Sequence, residues 1–155
     1  MQYVFDANVF IIFFEYYYEK RFPSLWDKFN DMISNGSILS VREVYNEIVR
    51  NRKITQWVKD NSKIFTLPTP NETNFVGKIF QVPHFQALIS QKSILQGKPV
   101  ADPFIIAKAK IINGSVVTNE KFEKNAAKIP NVCQHFDDIP YYNLEDFMEK
   151  ENWKF

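Results

Sequence analysis

The sequence predicts an α/β protein, a three-layer α/β/α sandwich built on a central parallel five-stranded sheet. Three observations carry that prediction. Short apolar runs alternate along the chain with longer stretches of helical period, and strands separated by helices pair in parallel with helices on both faces. The runs are only about four residues long, which suits a small sheet. With 155 residues, of which 45% are hydrophobic, the chain can fill one core, so residues 1–155 are read as a single domain.

The elements follow in order. Tyr3 to Asp6 reads as a buried strand, and Val9 to about Tyr18 as an apolar, aromatic helix. Phe22-Pro23-Ser24 breaks the chain, and Ser24 can cap a helix in which Leu25, Phe29, Met32 and Ile33 recur at helical spacing. Asn35-Gly36 stops that helix. Ser37 to Ser40 is the second strand, followed by a helix with Val41, Val44 and Ile48 on its inner stripe. Ile64 to Leu67 makes a third strand, ended by Pro68 and Pro70. Residues from about Glu72 to Leu95 read as helical with a break at Pro83. Asp102-Pro103 opens a helix through Ile112, closed by Asn113-Gly114. Ser115 to Thr118 is the fourth strand, a fifth falls between Val132 and Asn143, and Leu144 to Lys150 is a terminal helix.

Composition removes several function classes. The net charge of +1 gives no global attraction to nucleic acid, so any such binding must come from local patches. One cysteine, Cys133, excludes an internal disulfide and fits a reducing compartment. The N-terminal apolar stretch is interrupted by Asp6 and Asn8 and lacks a basic leader, so the expectation is a cytoplasmic protein with no membrane association. His84 and His135 lie far apart, which leaves no zinc-binding spacing, and four glycines form no phosphate loop. Asp6-Ala7-Asn8 lacks the second aspartate of an aspartyl-phosphate phosphatase, and a receiver domain would need a phosphoacceptor where Leu67-Pro68-Thr69-Pro70 stands. Phe13-Phe14 and Tyr16-Tyr17-Tyr18 are too dense for one helix to bury, and an exposed remainder suggests a partner surface around Phe13, Phe14, Tyr17 and Trp26.

Four acids stand where strands end or helices begin: Asp6, Glu47, Asp102 and Glu120. Ligands of an open parallel sheet bind outside the carboxyl ends of its strands. Four carboxylates gathered there repel one another, so the pocket makes physical sense around divalent cations. Each acid also has a plainer reading. Asp102 before Pro103 can be a helix N-cap, worth roughly 1 kcal/mol without any catalysis. Glu43 and Glu47 share a helix face and could be a solvated pair relieved by Arg50. Glu120 could be a turn residue. Asp6 sits in the most apolar part of the chain, where an unpartnered carboxylate costs several kcal/mol, although backbone amides could hold it.

The segments Val4-Phe5-Asp6-Ala7-Asn8-Val9, Glu43-Val44-Tyr45-Asn46-Glu47-Ile48, Ala101-Asp102-Pro103-Phe104-Ile105-Ile106-Ala107 and Val116-Val117-Thr118-Asn119-Glu120 resemble, in order, the four acidic motifs of PIN domains. The resemblance implies strand order 3-2-1-4-5 and metal-dependent cleavage of single-stranded RNA. Many small PIN proteins are VapC-type toxins, which implies an antitoxin partner and permits a homodimer. The aromatic first helix and the ending Asn152-Trp153-Lys154-Phe155 also resemble a poorly characterised PIN-like branch. Asp6 matches the first-strand aspartate, with Asn8 as its polar companion. Glu47 matches the helix acid, with Glu43 as a rival, and Asp102 the third acid. Thr118 matches the hydroxyl residue closing the fourth strand. Glu120 stands where aspartate is more usual.

These matches set the expected chemistry. Mg²⁺ or Mn²⁺ held by Asp6, Glu47, Asp102 and Glu120 would activate a water against a phosphodiester. Asn8 and Glu120 would orient ligands or waters, and Thr118 or Ser40 would hydrogen-bond substrate or a carboxylate. The basic cluster Arg50-Asn51-Arg52-Lys53 offers Arg50, Arg52 and Lys53 to the backbone of single-stranded or structured RNA, and Lys121, Lys124 and Lys128 follow the fourth strand. The competing expectation is a catalytically inactive PIN-like module that binds protein or RNA.

Overall fold

A computed structural model describes residues 1–89 and 100–155. Five parallel strands form the sheet: β1 (Tyr3–Phe5), β2 (Ile38–Val41), β3 (Phe65–Thr66), β4 (Ser115–Val117) and β5 (Tyr141–Tyr142), in the order β3-β2-β1-β4-β5. Register pairs Tyr3 with both Ile38 and Ser115, and Phe5 with Val117. Having neighbours on both sides explains why β1 is wholly buried and reads as a continuous apolar run.

The helices are α1 (Ala7–Tyr16), α2 (Pro23–Ser34), α3 (Arg42–Ile48), α4 (Thr55–Asp60), α5 (Pro70–Phe80), α6 (Asp102–Ile111), α7 (Ile129–His135) and α8 (Leu144–Lys150). Tyr3 and Phe5 share one face of β1 because strand side chains alternate. That face packs on aromatics: Phe5 lies against Phe10 of α1, Phe29 of α2 and Phe147 of α8, at ring separations of 5.5, 6.3 and 5.2 Å. Fully burying each such ring contributes roughly 1.5–3 kcal/mol. On the other face α6 runs across β1, β2 and β4, with α5 and α7 alongside. Gly36 turns the chain from α2 toward β2 at φ +79°, and Gly114 lets β4 approach Gln2, where an added Cβ would lie 2.7 Å from the carbonyl oxygen.

Several boundaries differ from the sequence reading. Ser24 does not cap α2; the helix begins at Pro23, which occupies its first turn in place of a side-chain cap. Val41 closes β2 instead of lying on α3. The stretch expected to be helical from Glu72 starts earlier, because Thr69 and Glu72 form a reciprocal capping box, and it ends at Phe80. A 3₁₀ turn over Pro83–Leu88 follows, and the remainder of that expected helix lies outside the described residues. Helices α4 and α7 were not anticipated. Their short lengths leave too few turns for a periodic signal.

The expected aromatic partner surface also changes. Phe13 and Trp26 are core residues, 0% and 3% exposed: Phe13 stacks on Phe29 and meets Trp153 edge-on, and Trp26 meets Phe29 edge-on. Phe14 and Tyr17 are half-buried, and Tyr16 and Tyr18 are the exposed members. Among the described residues no helix is long and apolar enough to cross a membrane.

Candidate functional site

Parallel topology decides where the acids meet. Asp6 follows the last residue of β1, and Thr118 follows the last residue of β4. Helix α3 leaves the end of β2, so it begins at the same edge. Helix α6 runs back to feed β4, so its N-terminus, with Asp102, also lies at the carboxyl edge.

Asp6 is the N-cap of α1 and is 5% exposed. Its Oδ1 accepts from the Ala7 amide at 2.7 Å, and its Oδ2 accepts from Asn8 Nδ2 at 3.0 Å and from the Thr118 hydroxyl at 2.8 Å. Thr118 Oγ1 in turn accepts from the Glu120 amide at 3.1 Å. Asn8 Oδ1 accepts from the Asn119 amide at 3.2 Å, and Asn119 Oδ1 accepts from the Leu144 amide at 3.2 Å. Asn8 and Thr118 therefore fix Asp6, while Asn119, which the sequence reading passed over, ties the same loop to α8. Its position inside Thr118-Asn119-Glu120 was the available signal.

Asp102 is the first residue of α6 and not its N-cap; Ala101 holds that position and makes no side-chain cap bond. The cap reading of Asp102 therefore fails. Glu120 does carry a structural bond: its Oε2 accepts from the Ile129 amide, the first residue of α7, at 3.0 Å. A carboxylate at a helix N-terminus is favoured by the unpaired amides there. Glu47 lies on α3 at the exposed rim, though enough protein surrounds its carboxyl to raise its pKa.

The electrostatics join the four acids. Burial pushes Asp6 up to about 6; Thr118 and Ala7 oppose that rise, and Glu120 and Glu47 add to it. Asp102 rises to about 8, first from burial and then from Glu120, Asp6 and Glu47. Burial and then Glu120 raise Glu47. Every charge acting on Asp102 among the described residues is another carboxylate. Among the described residues no Lys or Arg acts on Asp6, Glu47 or Asp102, and of the four acids Lys128 acts only on Glu120; a bound cation would relieve the repulsion that remains.

Glu43, one turn before Glu47, belongs to a different group. Burial raises its pKa most, Glu72 adds to that, and Arg42 works against it. Its Oε2 is buried without a hydrogen-bond partner among the described residues. Glu72 itself pairs with the buried Lys108 at 3.6 Å, and Lys108 Nζ donates to Thr66 Oγ1 at 2.6 Å. Of the two helix acids, Glu47 is the one coupled to Asp6, Asp102 and Glu120. Ser40 is buried and donates to the Phe5 carbonyl at 2.7 Å, so its hydroxyl holds β2 to β1 and does not address a carboxylate. Arg50, Arg52 and Lys53 are exposed in the turn between α3 and α4.

Whether the residues suit a metal can be judged from their donors. All are oxygens, which suits Mg²⁺ or Mn²⁺. Among the described residues no three His, Cys, Asp or Glu side chains come close enough together to hold a metal ion directly. Mg²⁺ is commonly bound through one or two carboxylates and keeps several waters. The open acidic group fits that mode.

A search of solved structures finds similarity to the structure described as "Crystal structure of VapBC2 from Rickettsia felis bound to a DNA fragment from their promoter". The identity is 15% and the TM-score 0.55, covering 92% of this chain and 98% of that chain. Together with the sheet order, this likeness makes the fold a PIN-like α/β/α sandwich. No curated protein matches the sequence. Residues 3–155 match a family described only as "Domain of unknown function (DUF4411)", and the chain belongs to that family.

Proposed function

We propose that this chain is a divalent-metal-dependent endoribonuclease that hydrolyses phosphodiester bonds of single-stranded RNA. The observation that carries the reading is the setting of Asp102: Glu120, Asp6 and Glu47 act on it, and among the described residues no cation does. Asp6, Asp102, Glu47 and Glu120 would hold Mg²⁺ or Mn²⁺, largely through water. When bound, the cation supplies Lewis-acid polarisation of the phosphate and offsets charge developing on its oxygens.

The chain's own residues do the rest. Asp6, fixed by Thr118, Asn8 and the Ala7 amide, presents an oriented carboxylate without further rearrangement. Asp102, whose burial favours the neutral acid, would have to be ionised to hold the cation. Glu47, at the open rim, accepts a proton from the attacking water; the water oxygen bonds phosphorus as the bond to the 3′ oxygen breaks. The 3′ oxygen takes a proton from solvent, leaving 5′-phosphate and 3′-hydroxyl ends. Arg50, Arg52 and Lys53, with exposed Lys121 and Lys124, draw in the RNA backbone and offset its repulsion by the acids.

We further assign the chain as the toxin of a toxin–antitoxin pair, with an antitoxin that silences it in the cell. A guanidinium from such a partner can pair with the carboxylates and compete with the cation. Exposed Tyr16 and Tyr18, beside half-buried Phe14 and Tyr17, offer apolar anchorage for that partner or a second copy. A second reading, a non-catalytic binding module, draws on the structural duties of Asp6 and Glu120 as helix caps.

A cleavage assay separates the two. Wild type should cut single-stranded RNA with Mg²⁺ or Mn²⁺, and chelation should stop it. Asp6→Asn and Asp102→Asn should each lose at least about 100-fold in rate while keeping wild-type circular dichroism. Cleavage at the wild-type rate by either variant at saturating metal would remove that residue from the reaction. A wild type that binds metal but cuts no RNA would favour the binding module.

A further inference from the structure

The loop leaving Glu120 forms one wall of a second cleft, which the acids do not use. Its volume is about 520 Å³, and His84, Phe122, Ala126, Asn131, Gln134 and His135 are among its lining residues. Both histidines of the chain therefore meet here. His84 comes from the 3₁₀ turn and His135 from the end of α7. Phe122, 49% exposed, is an aromatic side chain left largely uncovered on a loop.

The hydrogen bonds fix which groups stay open. His84 Nε2 faces the Ala126 carbonyl at 3.2 Å, and a carbonyl can only accept, so Nε2 carries the proton and neutral His84 leaves Nδ1 as an acceptor. Gln134 donates through Nε2 to Tyr141 Oη at 2.8 Å, which leaves its Oε1 to accept. Asn131 Nδ2 donates to the Glu123 carbonyl at 2.7 Å, so the loop and α7 are held together beneath the cleft. The His135 ring is braced edge-on by Phe85 at 5.1 Å.

No Lys or Arg lines the cleft among the described residues, so it is not built for phosphate. An exposed ring in the same cleft as two hydrogen-bond acceptors suits a planar heteroaromatic group bearing N–H donors. Unpaired bases are recognised in this way, stacked on an aromatic side chain and hydrogen-bonded along an edge. Phe122 is two residues from Glu120, so their Cα atoms are at most about 7 Å apart. Glu120 also anchors the first residue of α7, which bears Gln134 and His135. The cleft and the acidic edge are thus joined by one short, pinned loop.

We infer that this cleft is a base-binding subsite, in which one unstacked base of the RNA stacks on Phe122 beside His84 and Gln134 while the neighbouring phosphate lies at the acids. The inference rests on the ribonuclease reading and supplies what the acidic edge lacks, a means of holding one nucleotide in register.

The test uses the full chain carrying Asp102→Asn, so that RNA can bind without being cut. Fluorescence anisotropy is measured with a labelled single-stranded RNA and with versions in which one position at a time is abasic. One position should stand out, its abasic form binding about tenfold more weakly. Phe122→Ala should lose a similar factor and become indifferent to that abasic position, and Phe122→Trp should restore both affinity and dependence. A flat abasic profile on a chain that binds RNA, or a Phe122→Ala chain that keeps the positional dependence, overturns the subsite and leaves the ribonuclease reading intact. A chain that binds none of these RNAs overturns both.

Discussion

The Thr118 hydroxyl at the end of β4 donates to Oδ2 of Asp6 at the end of β1, at 2.8 Å, and both residues are buried. The bond joins the two central strands at the acidic edge and stabilises the ionised form of Asp6 against its burial. Thr118→Val keeps the shape and removes the donor. It should destabilise the protein by about 1–2 kcal/mol and move the Asp6 pKa further above about 6. Thr118→Ser should preserve both properties. Urea denaturation and a carboxyl titration by nuclear magnetic resonance measure the two effects; a Val variant with wild-type stability and wild-type Asp6 titration would show that the bond carries nothing.

The acids make a directional prediction about pH for the metal-free protein. Unfolded aspartates titrate near 3.8, whereas folded Asp6 and Asp102 titrate near 6 and 8. Through this interval the folded chain binds more protons than the unfolded chain, so stability falls as pH rises. The contribution is fully present below about pH 4 and is lost as pH climbs through the folded values. Asp102→Asn removes the largest part of this loss. It should be more stable than wild type at pH 8, by up to about 5 kcal/mol for a shift of this size, and indistinguishable from it near pH 4. Melting curves across that range test the sign, and a variant less stable than wild type at pH 8 would show that Asp102 has a stabilising partner.

Much of this edge was legible in the sequence because a short parallel sheet leaves few choices. An acid directly after an apolar run, as at Asp6, must lie at a strand end, and Asp102 before Pro103 must lie at a helix start. The duties of individual carboxylates were not legible. Glu43 and Glu47 are one helical turn apart, and only the neighbouring Glu72 and Lys108, supplied by distant α5 and α6, separates their roles. Glu120 caps α7, a helix of 7 residues too short to announce itself, so its bond to Ile129 could not be anticipated. The Thr69–Glu72 capping box stands in plain spacing, but Pro68 and Pro70 around it signal the end of a strand equally well, and only the folded chain shows that both signals hold. Trp26 and Phe13 looked like surface anchors because a run of aromatics does not reveal how many neighbouring helices share it.

The claim that the four carboxylates form a divalent-cation site is tested most directly by calorimetric titration of Mn²⁺ into the metal-free protein at pH 8. Wild type should bind saturably and release protons, because Asp102, titrating near 8, must ionise as the cation enters. The measured heat should therefore depend on the buffer's own ionisation heat. Asp102→Asn, folded by circular dichroism, should bind at least about tenfold more weakly and release fewer protons. Saturable binding with buffer-dependent heat in wild type and its loss in the variant is the predicted result. A folded wild type that takes up no Mn²⁺, or an Asp102→Asn chain that binds it equally well with the same proton release, would contradict the account.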